Sequence, residues 1–297
     1  MQAFGKDTAV GFIGLGVMGQ GMAHCLLRAG SPLAVFARRD AAAQPLVEAG
    51  ATRLDSPAAV GRSCQLVFLC LSDDAAVEEV LFGESGLVHG LAAGSCVVDT
   101  STIAATSARD FAQRLARQQV TFLDAPISGG QQGAETGTLA CMIGGPTEAV
   151  EACRGVMAAF CKAITHVGDV GAGQTVKSCN QVAVAAALVG VADAIALARS
   201  QGVDPAVMRD VLLGGTARSF VLEKHGQRII DGEFKPGFRA RLMRKDLRIA
   251  LATAQAGGAA LQAAPVAERL VGELCDGGRG EWDWAAVGLL VQEKGGN

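Results

Sequence analysis

The feature that most constrains this chain is an apolar run that breaks into glycines near its start, Val10-Gly11-Phe12-Ile13-Gly14-Leu15-Gly16-Val17-Met18-Gly19. Gly14, Gly16 and Gly19 have the spacing G-x-G-x-x-G. They stand between an apolar stretch of strand length and a helix-like run, Gly19-Gln20-Gly21-Met22-Ala23-His24-Cys25-Leu26-Leu27-Arg28. In a strand–turn–helix unit of this kind, Gly14 permits a tight turn, Gly16 lets backbone approach a pyrophosphate, and Gly19 lets helix pack on strand. The phosphates then meet the unpaired N–H groups and positive potential of the helix N-terminus. A second apolar run, Leu33–Phe36, follows in register. The segment therefore predicts a dinucleotide-binding unit, with Gly14, Leu15, Gly16, Val17, Met18 and Gly19 as its cofactor turn.

Around this unit the chain alternates. Strands are expected at Val10–Ile13, Leu33–Phe36, Leu66–Leu71, Cys96–Asp99, Thr121–Asp124 and Leu139–Ile143. Helical segments lie between them, among them Thr106–Gln118, where Ser107 and Asp110 have the spacing of an N-terminal cap. Alternation of this kind implies a parallel sheet covered by helices. After Gly173 the pattern changes to alanine-rich helical runs: Gln174–Gln201, Pro205–Leu213, Phe220–Asp231, Met243–Gly257 and Val266–Cys275. The expected class is α/β: a Rossmann-type, doubly wound parallel sheet over 1–168, then an all-α domain over 169–297. The first long helix, roughly 40 Å at 1.5 Å per residue, enters the second domain and can span both.

Composition narrows the functions available. With 297 residues, half of them hydrophobic, the chain can bury two cores or one large one. A net charge of −3 offers no basic surface for nucleic acid or a membrane. The nine cysteines lack C-x-x-C spacing and read as buried free thiols in a reducing cytosol, so a cytoplasmic protein is expected. No signal peptide is evident. The four histidines are widely separated, and no metal site is expected. Val182–Ala198 is interrupted by Asp193 and is short of the ~20 residues of a membrane span; a buried core helix fits it better. That helix is nevertheless apolar all round over Val182–Val191. Part of it must pack on the other domain or on another subunit, which points to a homodimer or homotetramer.

Dinucleotide sites that prefer NAD place an acid at the end of the second strand, to hold the ribose hydroxyls. Here that strand ends Phe36-Ala37-Arg38-Arg39-Asp40. Arg38 and Arg39 can grip a 2′-phosphate, which favours NADP(H) over NAD(H); as solvated loop charges they would do nothing. Asp40 sits late for a ribose. Asp124-Ala125-Pro126-Ile127-Ser128-Gly129-Gly130 follows a strand and ends in a turn whose bare N–H groups and hydroxyl suit a substrate carboxylate, although an ordinary turn has the same residues. Lys177 and Asn180 are i,i+3 on the long helix. A lysine beside a helix N-terminus, on a dry face, is a better proton donor and acceptor near neutral pH; the alternative is a snorkelling lysine at a helix start. Lys245 and Asp246 form a charged island that reads, by pattern alone, as a solvated helix face.

Taken together, these segments resemble the β-hydroxyacid dehydrogenase family over nearly the full length. The resemblance rests on Gly11–Gly19, on Asp124–Gly130 continuing into Gly137-Thr138-Leu139 and Gly144-Gly145, on Gly171–Asn180, and on Lys245-Asp246-Leu247. It implies that Lys177 is the general acid/base, that Asn180 orients substrate, and that Ser128, Gly129 and Gly130 hold a substrate carboxylate. It also implies that Lys245 lines the site beside the cofactor, that Thr102 places a hydroxyl near the nicotinamide, and that Leu71 and Ser72 cover the cofactor. The implied reaction is hydride transfer between NAD(P) and a small hydroxyacid or semialdehyde, of the 3-hydroxyisobutyrate or tartronate semialdehyde type. Imine reductases on a similar scaffold typically replace the lysine. The other alternative is a non-catalytic NADP-binding sensor or reader. Two positions depart from the family pattern: Ser72, where a proline is usual, and Gln181, where a second asparagine is common; glutamine also occurs there in the tartronate semialdehyde reductase branch, which leans the expected substrate that way.

Overall fold

The computed structural model describes residues 3–5 and 7–295. The chain divides into two compact units, residues 1–177 and 178–297. In the first, the strands are β1 (Val10–Ile13), β2 (Leu33–Phe36), β3 (Thr52–Arg53), β4 (Leu66–Leu69), β5 (Cys96–Asp99), β6 (Thr121–Asp124), β7 (Ile127–Ser128), β8 (Leu139–Gly144) and β9 (Cys161–Gly168). Helices α1 (Val17–Arg28), α2 (Asp40–Glu48), α3 (Pro57–Ser63), α4 (Asp74–Phe82), α5 (Ala105–Ala116), α6 (Gly130–Thr136) and α7 (Thr147–Met157) lie between them.

These strands form one nine-stranded sheet in the order β3-β2-β1-β4-β5-β6-β8-β7, with β9 on β8. From β3 to β6 every pairing is parallel, in the doubly wound order that opens a crevice where the chain reverses between β1 and β4. Alternate residues serve two cores. Phe12, Phe68 and Val98 pack on one side, and Ile13, Val67, Leu69 and Val97 on the other, so helices cover both faces. Beyond β6 the expected parallel sheet becomes mixed, since β8 runs antiparallel to β6 and β7 and parallel to β9. Strands β3 and β7 are two residues long, too short for any periodicity to register. Strand β9 escaped notice because it carries Lys162, Thr165 and His166 and buries little beyond Cys161.

Two local expectations are corrected in this unit. The strand begun at Leu66 stops at Leu69, leaving Cys70 and Leu71 in the following loop. Ser107 does not cap α5. It lies inside the helix, whose start at Ala104 is held from outside by the Asp74 carboxylate, 2.9 Å from the Ala104 amide.

The described residues of the second unit, 178–295, are mainly helical. Helix α8 (Ala172–Ser200) enters from the first unit, followed by α9 (Pro205–Leu213), α10 (Gln227–Asp231), α11 (Ala240–Ala256), α12 (Ala263–Leu274) and α13 (Val287–Gly295). A π-helical turn, Val221–Gly226, leads into α10, so the run expected over Phe220–Asp231 is helical but not uniformly α. Helix α8 has the length and apolarity of a membrane span. Its stripe Ala185, Leu188, Ala192 and Ile195 nevertheless forms the centre of the second core, against Leu222, Ile229, Leu247 and Trp284. Helix α11 begins three residues before the expected Met243, so Lys245 and Asp246 stand inside it, and Asp246 is buried rather than solvated. Of the cysteines, Cys179 is exposed, Cys70 and Cys275 are half-buried, and the rest are buried.

Candidate active site

The sequence-predicted residues of the first unit collect at one edge of the sheet. Because β1, β2, β4, β5 and β6 are parallel, their carboxyl ends lie together, and each is followed by a candidate segment. These are Gly14–Gly19 after β1, Arg38-Arg39 after β2, Leu71-Ser72 after β4, Thr102 after β5, and Ser128–Gly130 beyond β6.

The three motif glycines are required for different reasons. Gly14 has φ +101°, and a Cβ there would overlap the Cys70 carbonyl of the β4 loop. Gly19 would overlap the Gly14 carbonyl. Gly16 has ordinary extended angles, φ −78° and ψ −169°, and a Cβ there would meet nothing within 4 Å. Nothing in the chain itself demands glycine at this helix start. The bare backbone leaves open space at the α1 N-terminus, which suits the pyrophosphate of a dinucleotide.

At the end of β2, Arg38 and Arg39 are exposed. Asp40, the next residue, is held by Arg53 of β3 at 2.6 Å. The end of β2 therefore presents two exposed cations, with the Asp40 carboxylate engaged by Arg53. Ser72 is drawn into the start of α4: its hydroxyl donates to Asp73 at 2.8 Å, and Asp73 accepts from the Ala76 amide at 2.9 Å. The Leu71 amide donates to Ser101 Oγ at 2.8 Å, joining the loops after β4 and β5.

Lys177 is buried, 8 % exposed, in the second turn of α8. Its ammonium donates to the Ile127 carbonyl at 2.8 Å. Ile127 immediately precedes Ser128, and the turn continues through Gly129 (φ +137°) and Gly130 (φ +63°), two successive left-handed residues. The structure thus brings the proton-carrying candidate and the carboxylate-binding candidate to the same strand end.

Sequence reasoning missed the residues that hold this arrangement. Asp124, fully buried, accepts from the Gly171 and Gln174 amides at the start of α8, at 2.7 and 2.8 Å. Burial pushes its carboxyl up from 3.8 to about 6; the two amides and Arg109 pull it back only partly. Gln174, also buried, donates to the Ser101 carbonyl at 2.8 Å and accepts from the Ile103 amide at 3.2 Å, so it grips the backbone on both sides of Thr102. An acid and an amide in apolar surroundings were the available signal.

In the helical unit, Asn180 lies one turn beyond Lys177 on α8 and donates to Gln181 Oε1 at 2.8 Å. Gln181 donates to Asp246 at 2.6 Å, and Asp246 pairs with Lys245 at 3.1 Å. Gln181, a departure from the family pattern, is thus the link that orients Asn180. The same contact explains why Asp246 is buried: it has both an amide and an ammonium as partners.

Comparison with known proteins agrees with this geometry. Residues 9–168 match the family model described as the NAD binding domain of 6-phosphogluconate dehydrogenase. Residues 171–290 match the one described as NAD-binding of NADP-dependent 3-hydroxyisobutyrate dehydrogenase. The chain is 40% identical to the 2-hydroxy-3-oxopropionate reductase of Escherichia coli, over 83% of this chain and 84% of that one. It is 38% identical to the 3-hydroxyisobutyrate dehydrogenase of Pseudomonas aeruginosa, over 84% and 86%. The solved structure of a Salmonella typhimurium 3-hydroxyisobutyrate dehydrogenase superposes with a TM-score of 0.87 at 30% identity, covering 96% of this chain and all of that one. A glycine turn built for a pyrophosphate, a buried lysine at the carboxyl edge of a Rossmann sheet, and full-length similarity to these enzymes together identify the chain as an oxidoreductase of the β-hydroxyacid dehydrogenase family.

Proposed function

We propose that this enzyme interconverts a small semialdehyde acid and the corresponding hydroxyacid, of the tartronate semialdehyde or 3-hydroxyisobutyrate type, and that it favours NADP(H). The observation that carries the reading is the placement of Lys177: a buried ammonium hydrogen-bonded to Ile127, directly before the Ser128-Gly129-Gly130 turn. A bound nicotinamide supplies or accepts the hydride. In reduction, Lys177 gives its proton to the carbonyl oxygen; in oxidation, it takes the hydroxyl proton. The Ser128 turn holds the substrate carboxylate, Asn180 orients the reacting end, and Thr102 faces the nicotinamide side. Fixing the carboxylate fixes the carbonyl, and positioning of this kind accounts for much of the catalytic gain. Lys245 stands beside the cofactor in this reading, and Leu71 and Ser72 cover the dinucleotide.

Retention of Lys177 supports a carbonyl substrate over an imine, and supports turnover over a purely sensing role. Arg38 and Arg39, with Asp40 held by Arg53, support the 2′-phosphate. The enzyme works as a homo-oligomer in the cytoplasm in this reading. Lys177→Ala tests it: kcat should fall roughly 10²–10⁴-fold with NADPH affinity unchanged. Near-normal turnover would remove Lys177 from the reaction. A panel of semialdehydes assayed with both cofactors then identifies the substrate.

A further inference from the structure

The start of helix α8 is held from far along the chain. Its first amides are held by a carboxylate 47 and 50 residues earlier in the chain: Gly171 and Gln174 both donate to Asp124, the last residue of β6. An ordinary cap is a neighbouring Ser, Thr or Asp at the surface. This one is fully buried, and two glycines make room for it. A Cβ at Gly144 would lie 2.6 Å from Asp124 Oδ1, and one at Gly173 would lie 2.9 Å from Oδ2. Its direct partners are backbone amides, so the charge is kept in a dry site against its preference for water.

The placement has a register. Three residues after Asp124 comes Ile127, and three residues after Gln174 comes Lys177. Asp124 accepts from the Gln174 amide at 2.8 Å, and Ile127 accepts from the Lys177 ammonium at 2.8 Å. These are two rungs between the same strand end and the same helix start. Pro126, between the rungs, fixes the backbone angle of the strand end. From the helix side, the Gln174 side chain extends the arrangement to Ser101 and Ile103, around Thr102.

We propose that Asp124 is a positioning residue: its carboxylate sets the first turn of α8 on the end of β6, and so sets Lys177 against Ile127 beside the Ser128 turn. The proposal rests on the reading of Lys177 as the acid/base. Asp124 touches neither substrate nor cofactor; it acts through the helix. Its charge also stands where the helix macrodipole is positive, and offsets that potential for the lysine one turn further on. The titratable and charged groups around it are Asp99, in register on β5, Arg109 from α5, Cys141 on β8, Asp169 in the loop before α8 and Lys177 one turn into the helix.

The test is Asp124→Asn in the full-length enzyme, alongside Lys177→Ala. Asparagine keeps the shape but offers one acceptor where two amides need two. Displacement of a reacting group by about 1 Å costs on the order of 10²-fold, so kcat should fall by about that factor, with KM for substrate and NADPH within about threefold of wild type. In the reductive direction, the pH at which turnover falls on the alkaline side should drop, because the dipole is no longer offset. Wild-type turnover should also fall below about pH 6 as Asp124 takes a proton, and this acid limb should vanish in the variant. A variant with kcat within threefold of wild type and unchanged limbs, while Lys177→Ala is inactive, overturns the proposal and leaves the lysine reading standing. An active Lys177→Ala overturns both. Should Asp124→Asn fail to fold, wild-type kcat between pH 5 and 7.5 decides: a fall centred near pH 6 supports the proposal and a flat profile overturns it.

Discussion

Replacing Gly16 by alanine should separate binding from folding more cleanly than any other change in the cofactor turn. In the chain itself, the new methyl meets nothing within 4 Å, and φ −78° with ψ −169° is open to alanine. Stability without ligand should therefore stay within about 0.5 kcal/mol of wild type, as for a surface substitution. The cost appears when a pyrophosphate comes against the bare backbone. Pushing one methyl into a packed contact costs about 1–3 kcal/mol, or roughly 5- to 150-fold in Kd. At NADPH equal to 100 times the wild-type Kd, ligand stabilises wild type by about 2.7 kcal/mol; a 30-fold weaker variant gains only about 1 kcal/mol. Fluorescence titration with NADPH and thermal melts with and without it read both quantities. Gly14→Ala and Gly19→Ala are the controls. The first forces φ +101° on a residue with a Cβ, and both overlap a backbone carbonyl, so both should lose on the order of 2–4 kcal/mol before any ligand is added. Wild-type NADPH affinity in Gly16→Ala, or a loss of unliganded stability like that of Gly19→Ala, would refute the argument.

Three further outcomes are expected. If Arg38 or Arg39 grips the 2′-phosphate, charge-assisted bonds of about 1.5–3 kcal/mol should give NADPH a roughly 10- to 150-fold advantage in kcat/KM over NADH. Ala37→Asp with Arg38→Ala should reverse this, and equal wild-type values would end the assignment. Light scattering at micromolar concentration should give a dimer or tetramer, since the helical unit exposes Leu197, Val207, Val211 and Phe220 at 58–68 %; a monomer mass would contradict it. The Asp124 carboxyl holds its proton more tightly folded, near 6, than unfolded, near 3.8, so the folded state is penalised as pH rises through that window. At 1.36 kcal/mol per pH unit, wild type should lose roughly 2–2.5 kcal/mol relative to Asp124→Asn between pH 4 and 7, and almost nothing more above it. Denaturation followed by hydrogen exchange in residues 1–177 measures this, and a pH-independent difference would show that the buried carboxylate carries no such cost.

Much of this enzyme is written in short-range chemistry. The glycine spacing after β1, the apolar runs of β2, β4, β5 and β6, and the alanine-rich stretch of α8 each depend on neighbouring residues, and each was legible along the chain. Lys177, Asn180 and the Ser128 turn were legible as residue types at family spacing. The sequence could not show what holds them. Strands β3 and β7 exist because a longer strand stands beside each, β9 because β8 does, and no pattern of their own declares them. Ser107 has the spacing of a cap and caps nothing, because Asp74 of α4 reaches the α5 start first. Asp246 reads as a solvated charge until Gln181, 65 residues away, is seen to donate to it. Asp124 and Gln174 act across about 50 and 70 residues of chain. Periodicity and spacing report which face a residue offers, whereas a buried polar side chain is decided by whichever donor the fold brings within about 3 Å of it. Local sequence determined the elements and the candidate reacting groups; tertiary structure alone decided which buried carboxylate and amide meet the start of the helix that carries the lysine.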